Sequence, residues 1–140
     1  MCDAKAYLRK IPLLNANINS KLNDLHELRT MVTKITSTIS PVCVSGSGNQ
    51  DKLGNAVAKI VDLQEEINRK IDMYVDLKRE AIEILEQIQD PDQVQVLHKR
   101  YFENKPWERI ACEMNYSYRN VLCIHGDALQ AMDAVLKERK

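Results

Sequence analysis

The sequence predicts an all-α fold: a long antiparallel, coiled-coil-like helical hairpin, followed by a C-terminal module of three short helices. Three observations carry this. Aliphatic residues recur at alternating steps of three and four over two long stretches, the pattern of helices packed along their length. The 140 residues include only four glycines and four prolines, and 29% are charged, a composition suited to long helices. Helix-start and turn signals then crowd together after residue 90.

The first stripe runs through Ile11, Leu14, Ile18, Lys21, Leu25, Leu28, Val32, Ile35 and Ile39. Lys21 is its one polar member, with Leu22 beside it. Pro12 falls where a helix tolerates proline, in the expected first turn. The stripe ends at Ser40-Pro41, and SPVCVSGSGNQ reads as a turn or loop.

A second stripe passes through Leu53, Val57, Ile60, Leu63, Ile67, Ile71, Tyr74, Leu77, Ala81, Leu85 and Ile88, and ends at Asp90-Pro91. Each helix would span roughly 30–40 residues, and one loop between two such helices favours an antiparallel pair. Charge agrees. Residues 1–49 carry a net +3, residues 50–90 a net −4 and residues 91–140 a net +1, in a chain of zero net charge. The domain boundary is set at residue 90: 1–90 as an oligomerising hairpin, 91–140 as a separate module.

Asp90-Pro91 opens the module, Asp as N-cap and Pro at the first helical position. The first short helix runs to about Phe102 and buries Val94, Leu97 and Tyr101, with Val96 or Phe102 at its edges. Glu103-Asn104-Lys105 breaks it, and Pro106 opens the next helix. Trp107, Ile110, Ala111 and Met114 form that helix's apolar face. Asn115 stands where the chain must reverse, a position that favours a residue tolerant of left-handed backbone. Ser117 is placed to cap the last helix. Val121, Ile124, Ala128 and Leu129 face inward from it. Tyr118, Arg119, Asn120, Leu122 and Cys123 face outward.

This is the layout of a helix-turn-helix, whose second helix can enter the DNA major groove. Arg119 can bond guanine or phosphate, Asn120 can read adenine, and Leu122 can touch a thymine methyl. Lys99, Arg100, Lys105 and Arg109, on the two preceding helices, are candidate phosphate contacts. Double-stranded DNA is the expected partner. A homodimer is expected as well, because two long apolar stripes want further cover and paired half-sites multiply affinity.

The stretch VLHKRYFENKPWERIACEMNYSYRNVLCIHGDAL resembles region four of bacterial sigma factors and related phage regulators. Leu97, Arg100, Tyr101, Trp107, Glu108, Ile110, Ala111, Ser117, Val121, His125, Ala128 and Leu129 carry the likeness, over about a third of the chain. With YLRKIPLLNANINSKLNDL near its start, the chain is similar to small phage and prophage proteins that join a helical N-terminal half to such a module. The resemblance implies regulation of phage gene transcription, often of late genes, and contact with RNA polymerase. Leu122 and Cys123 depart from the pattern, since basic or polar residues are usual there. Asp127 would repel phosphate if it faced DNA.

Other chemistry is sparse. Cys2, Cys43, Cys112 and Cys123 have no metal-ligand spacing and read as free thiols. His26, His98 and His125 fall in no metal-like pattern. Asp62, Glu65 and Glu66 read as a solvated helix face. Ser45-Gly46-Ser47-Gly48 lacks the Lys-Ser/Thr of a phosphate loop. No nucleophile–base pair can be named, so a non-enzyme without cofactor or metal is expected. No secretory leader or membrane-spanning run is visible, which implies the cytoplasm of a bacterial host. Two rivals remain. One is a DNA-packaging recognition subunit of the small-terminase type, which usually puts its DNA-binding part first. The other is an adaptor that binds polymerase or a regulator.

Overall fold

The computed structural model describes residues 3–38 and 47–139. The fold is all-α. Its elements are α1 (Asp3–Thr38), α2 (Ser47–Leu85), α3 (Pro91–Leu97), a π-helical segment (His98–Phe102), α4 (Trp107–Met114) and α5 (Tyr118–Arg139). Among the described residues no helix is long and apolar enough to cross a membrane. The chain divides into two compact units, Ala16–Met73 and Met1–Asn15 with Tyr74–Lys140. The α1 and α2 helices contribute to both, and residues 91–139 share a unit with residues 3–15 and 74–90.

In the unit Ala16–Met73, α1 and α2 pack through Ile18, Leu25, Ala56 and Ile67, all buried. Lys21, the polar interruption of the first stripe, bonds Glu66 Oε1 at 2.9 Å. The interruption is therefore an ion pair across the helix seam. Most of the second stripe is buried or half-buried, as its spacing predicts. Val57 and Ile71 are exposed, and Ala56 is buried beside Val57.

In the other unit, Ala4, Leu8 and Ile11 of α1 share a core with Ala81, Ile84 and Leu85 of α2, and with Leu97, Tyr101, Phe102, Ala128, Leu129, Met132 and Val135. Leu8, Ile84, Leu97 and Met132 are wholly buried. Each such side chain contributes about 1.5–3 kcal/mol by leaving water. This packing corrects two expected boundaries. Helix α1 begins at Asp3, not near Ile11, so Pro12 lies inside it. Proline has no N–H for the preceding turn, but burial of Ala4, Leu8 and Ile11 keeps the helix going. At its start, Asp133 Oδ1 of α5 accepts the Ala4 N–H at 2.7 Å. Helix α2 ends at Leu85 rather than at Asp90, and a short turn carries Ile88 back into the core.

The expected loop over residues 40–50 is helical from Ser47, the start of α2. Ile39, Ser40-Pro41, Cys2 and Cys43 lie outside the described residues. Asp90 caps α3, its Oδ1 accepting the Asp92 N–H at 2.9 Å. The segment expected as one α-helix to Phe102 changes to π geometry at His98, with Glu103 N–H bonding His98 C=O at 3.2 Å. The wider turn turns Leu97, Tyr101 and Phe102 to the large core while Val96 joins a second, smaller one. That second core consists of Val96, Ile110, Ala111 and Val121, flanked by Trp107, Met114 and Ile124.

Candidate nucleic-acid interface

The reversal between α4 and α5 is built from backbone geometry. Asn115 takes φ 59° and ψ 37°, in the left-handed region. Its N–H bonds Cys112 C=O at 3.3 Å, and Tyr116 N–H bonds Ala111 C=O at 3.0 Å. These are the two bonds of a Schellman helix end, which a left-handed residue makes possible. Ser117 then starts α5: its Oγ accepts the Asn120 N–H at 3.1 Å and its carbonyl accepts the Val121 N–H at 3.0 Å. The Tyr116 hydroxyl donates to Asp92 Oδ2 at 2.6 Å, tying the turn to α3. That bond and the Asp92 charge raise the Tyr116 pKa above its ordinary value.

Helix α5 presents two faces. Val121, His125, Ala128, Leu129 and Met132 are buried; the helix packs on α3 and α4, and Ala128, Leu129 and Met132 enter the larger core. Tyr118, Arg119, Asn120, Leu122 and Cys123 are all exposed, as is Asp127. The exposed face thus combines one guanidinium, one amide, one phenol, an apolar side chain and a thiol on the first turns of a rigid helix. Chemically it offers one forked donor and one donor–acceptor amide beside apolar surface.

Beneath this face lies an aromatic group. The Tyr101 hydroxyl and His125 Nε2 share a hydrogen bond of 2.8 Å. The Trp107 ring meets His125 edge-on at 4.6 Å. On Trp107 sits the Arg100 guanidinium, 4.3 Å from the ring centroid, and Arg100 also donates to Lys105 C=O at 3.1 Å. Burial, with the nearby charges of Lys5 and Arg100, lowers the His125 pKa to about 4. The imidazole is neutral and structural.

The other basic candidates converge on one carboxylate. Lys99 and Lys105 each bond Glu113 Oε1 at 2.8 Å, and Arg109 Nε bonds Oε2 at 3.0 Å. Lys105 also pairs with Glu103 at 2.8 Å, and Glu103 with His98 Nδ1 at 2.8 Å. Hydrogen bonds from Lys105 and then Lys99 hold the Glu113 pKa down at about 2. The network makes α4 and the π-helical segment one electrostatic unit. Sequence reading missed Glu113. Its spacing of four from Arg109 was visible, but the lysines reach it only through the fold. Among the described residues, no group of three His, Cys, Asp or Glu side chains could hold a metal ion. Cys112 and Cys123 are free and exposed.

Comparison with protein-family models, curated proteins and solved structures gives no match for this chain.

Proposed function

We propose that this chain is a DNA-binding transcription regulator of the phage or prophage kind, without enzymatic activity, that reads the major groove with the start of α5. The observation that carries the reading is the sorting of α5. Tyr118, Arg119 and Asn120 stand free on its first turn while Val121 and His125 lock its opposite face into the module. Docked helix-turn-helix proteins contact base edges from this part of the second helix. Arg119 supplies the guanine- or phosphate-directed fork and Asn120 the adenine-directed amide. The resemblance to sigma region four supports a role in transcription, with late phage genes and RNA polymerase as the corresponding target and partner.

A homodimer fits this reading. Exposed Leu22, Met31, Val57, Val61 and Met73 in one unit, and Leu13, Val75 and Ile82 in the other, leave apolar surface for a second copy. Two copies would place two reading helices on paired half-sites. Enrichment of sites from a random duplex library tests the proposal. A recovered consensus with two-fold symmetry is expected, and an Arg119→Ala/Asn120→Ala chain should recover none. A library that stays random after repeated enrichment by the wild-type chain contradicts it.

A second reading has its own observation. Leu122 and Asp127 are both exposed on α5, and an apolar and an acidic side chain there suit a protein surface better than phosphate. An adaptor that binds polymerase predicts a salt-insensitive complex with the enzyme and no DNA consensus.

A further inference from the structure

The four basic residues ahead of α5 differ sharply in what they offer to solvent. Arg100 lies over Trp107 and donates to a backbone carbonyl. The Lys99 and Lys105 side chains are only 20% and 19% exposed, and both end on the same oxygen of Glu113. Arg109 is 67% exposed. It gives Glu113 its Nε, which leaves the terminal guanidinium nitrogens outside that bond. A carboxylate bound at Nε ties the guanidinium at one nitrogen and leaves its terminal fork to meet a phosphate. Glu113 therefore does two things: together with Glu103, which also pairs with Lys105, it balances the two lysines, and it holds one arginine.

We propose that Glu113 is a positioning residue of the interface, committing Lys99 and Lys105 to the fold and holding Arg109 as the phosphate-facing cation of α4. The role rests on the DNA-binding reading above. Of the basic residues named above as candidate contacts, it leaves Arg109 and Arg119 to face phosphate. Each phosphate neutralised adds about 0.9 to the slope of log affinity against log salt, so two cations give a slope of about 2 per module. Such a chain binds DNA weakly without sequence readout, in keeping with its zero net charge. The Glu113 carboxylate, with its pKa near 2, stays ionised at any physiological pH.

The test is a salt series of anisotropy titrations on a labelled mixed-sequence duplex, with single variants of the full chain. Arg109→Gln should flatten the slope by about one. Lys99→Gln and Lys105→Gln should leave the slope unchanged while lowering the melting temperature. Glu113→Gln should steepen the slope by about one or more, because the lysine heads are released toward phosphate. Side-chain NMR gives a readout without DNA: the Arg109 Nε–H should exchange slowly in the wild-type chain and several-fold faster in Glu113→Gln. Flattening by the lysine variants but not by Arg109→Gln overturns the assignment. So does an unchanged slope or unchanged Nε–H exchange in Glu113→Gln. A wild-type chain that binds no duplex at low salt removes the DNA reading, and this role with it. Binding with unmoved slopes removes the positioning role alone.

Discussion

Tyr101 and His125 meet at 2.8 Å between the larger and the smaller apolar cluster. Tyr101 belongs to the large core, and His125 touches Trp107 at the edge of the small one. The pair joins the helix that carries the exposed Arg119–Asn120 face to the segment that carries Lys99 and Arg100.

Tyr101→Phe should therefore cost more than its small change in shape suggests. The variant leaves His125 Nε2 buried without its partner, at about 1–3 kcal/mol. Chemical denaturation should show a lower midpoint with an unchanged denaturant slope, since the area exposed on unfolding is unaltered.

Acid should weaken the fold through His125. Its folded pKa, about 4, lies below the ordinary value of about 6.5. The unfolded chain then binds more protons between those values, so stability is full above about pH 6.5 and falls as pH drops toward about 4. Glu113, Glu103 and Glu66 also have lowered pKa values. Their losses begin only near the ordinary carboxylate range of about 4.3 and below. Thermal melts between about pH 6.5 and 5 should show a falling midpoint for the wild-type chain and a flatter one for His125→Gln.

Asp133 should act as a helix cap from a distance. Its bond to the Ala4 N–H satisfies a donor that α1 cannot satisfy itself. Asp133→Ala should cost about 1 kcal/mol. Amide exchange should quicken over the first turn of α1 and stay unchanged at Leu25.

The turn should respond to backbone, not side-chain, chemistry. Asn115 holds φ 59°, a region costly for side chains branched at Cβ. Asn115→Gly should be close to neutral, and Asn115→Val should cost on the order of 1–2 kcal/mol. Equal effects of the two in thermal melts would sink the account of the turn.

Much of the architecture was legible because it is periodic. Ile18, Leu25, Ile67, Ala81 and Leu85 announce their faces by spacing, and Asp90-Pro91 announces a helix start by local chemistry. What stayed hidden depends on partners distant in sequence. Pro12 looked like a first-turn residue because nothing local reveals that Ala4, Leu8 and Ile11 are buried against α2 and α5. The π geometry at His98 has no sequence signal of its own. It arises where Val96 and Leu97 must serve different cores. At the candidate interface, the exposed residues of α5 followed from helical period alone. The state of Lys99, Lys105 and Arg109 did not, because Glu113 gathers the two lysines across fourteen and eight residues of sequence.

The first turn of α5 is the part of the molecule proposed to read DNA. The most direct measurement is anisotropy binding to duplexes drawn from the DNA flanking the protein's own gene, over a salt series, beside Arg119→Ala/Asn120→Ala. Selective binding to one fragment, loss of that selectivity in the variant, and a shallow salt dependence in both are expected. Equal binding to every fragment, unaffected by the variant, or no binding at low salt, would contradict that reading.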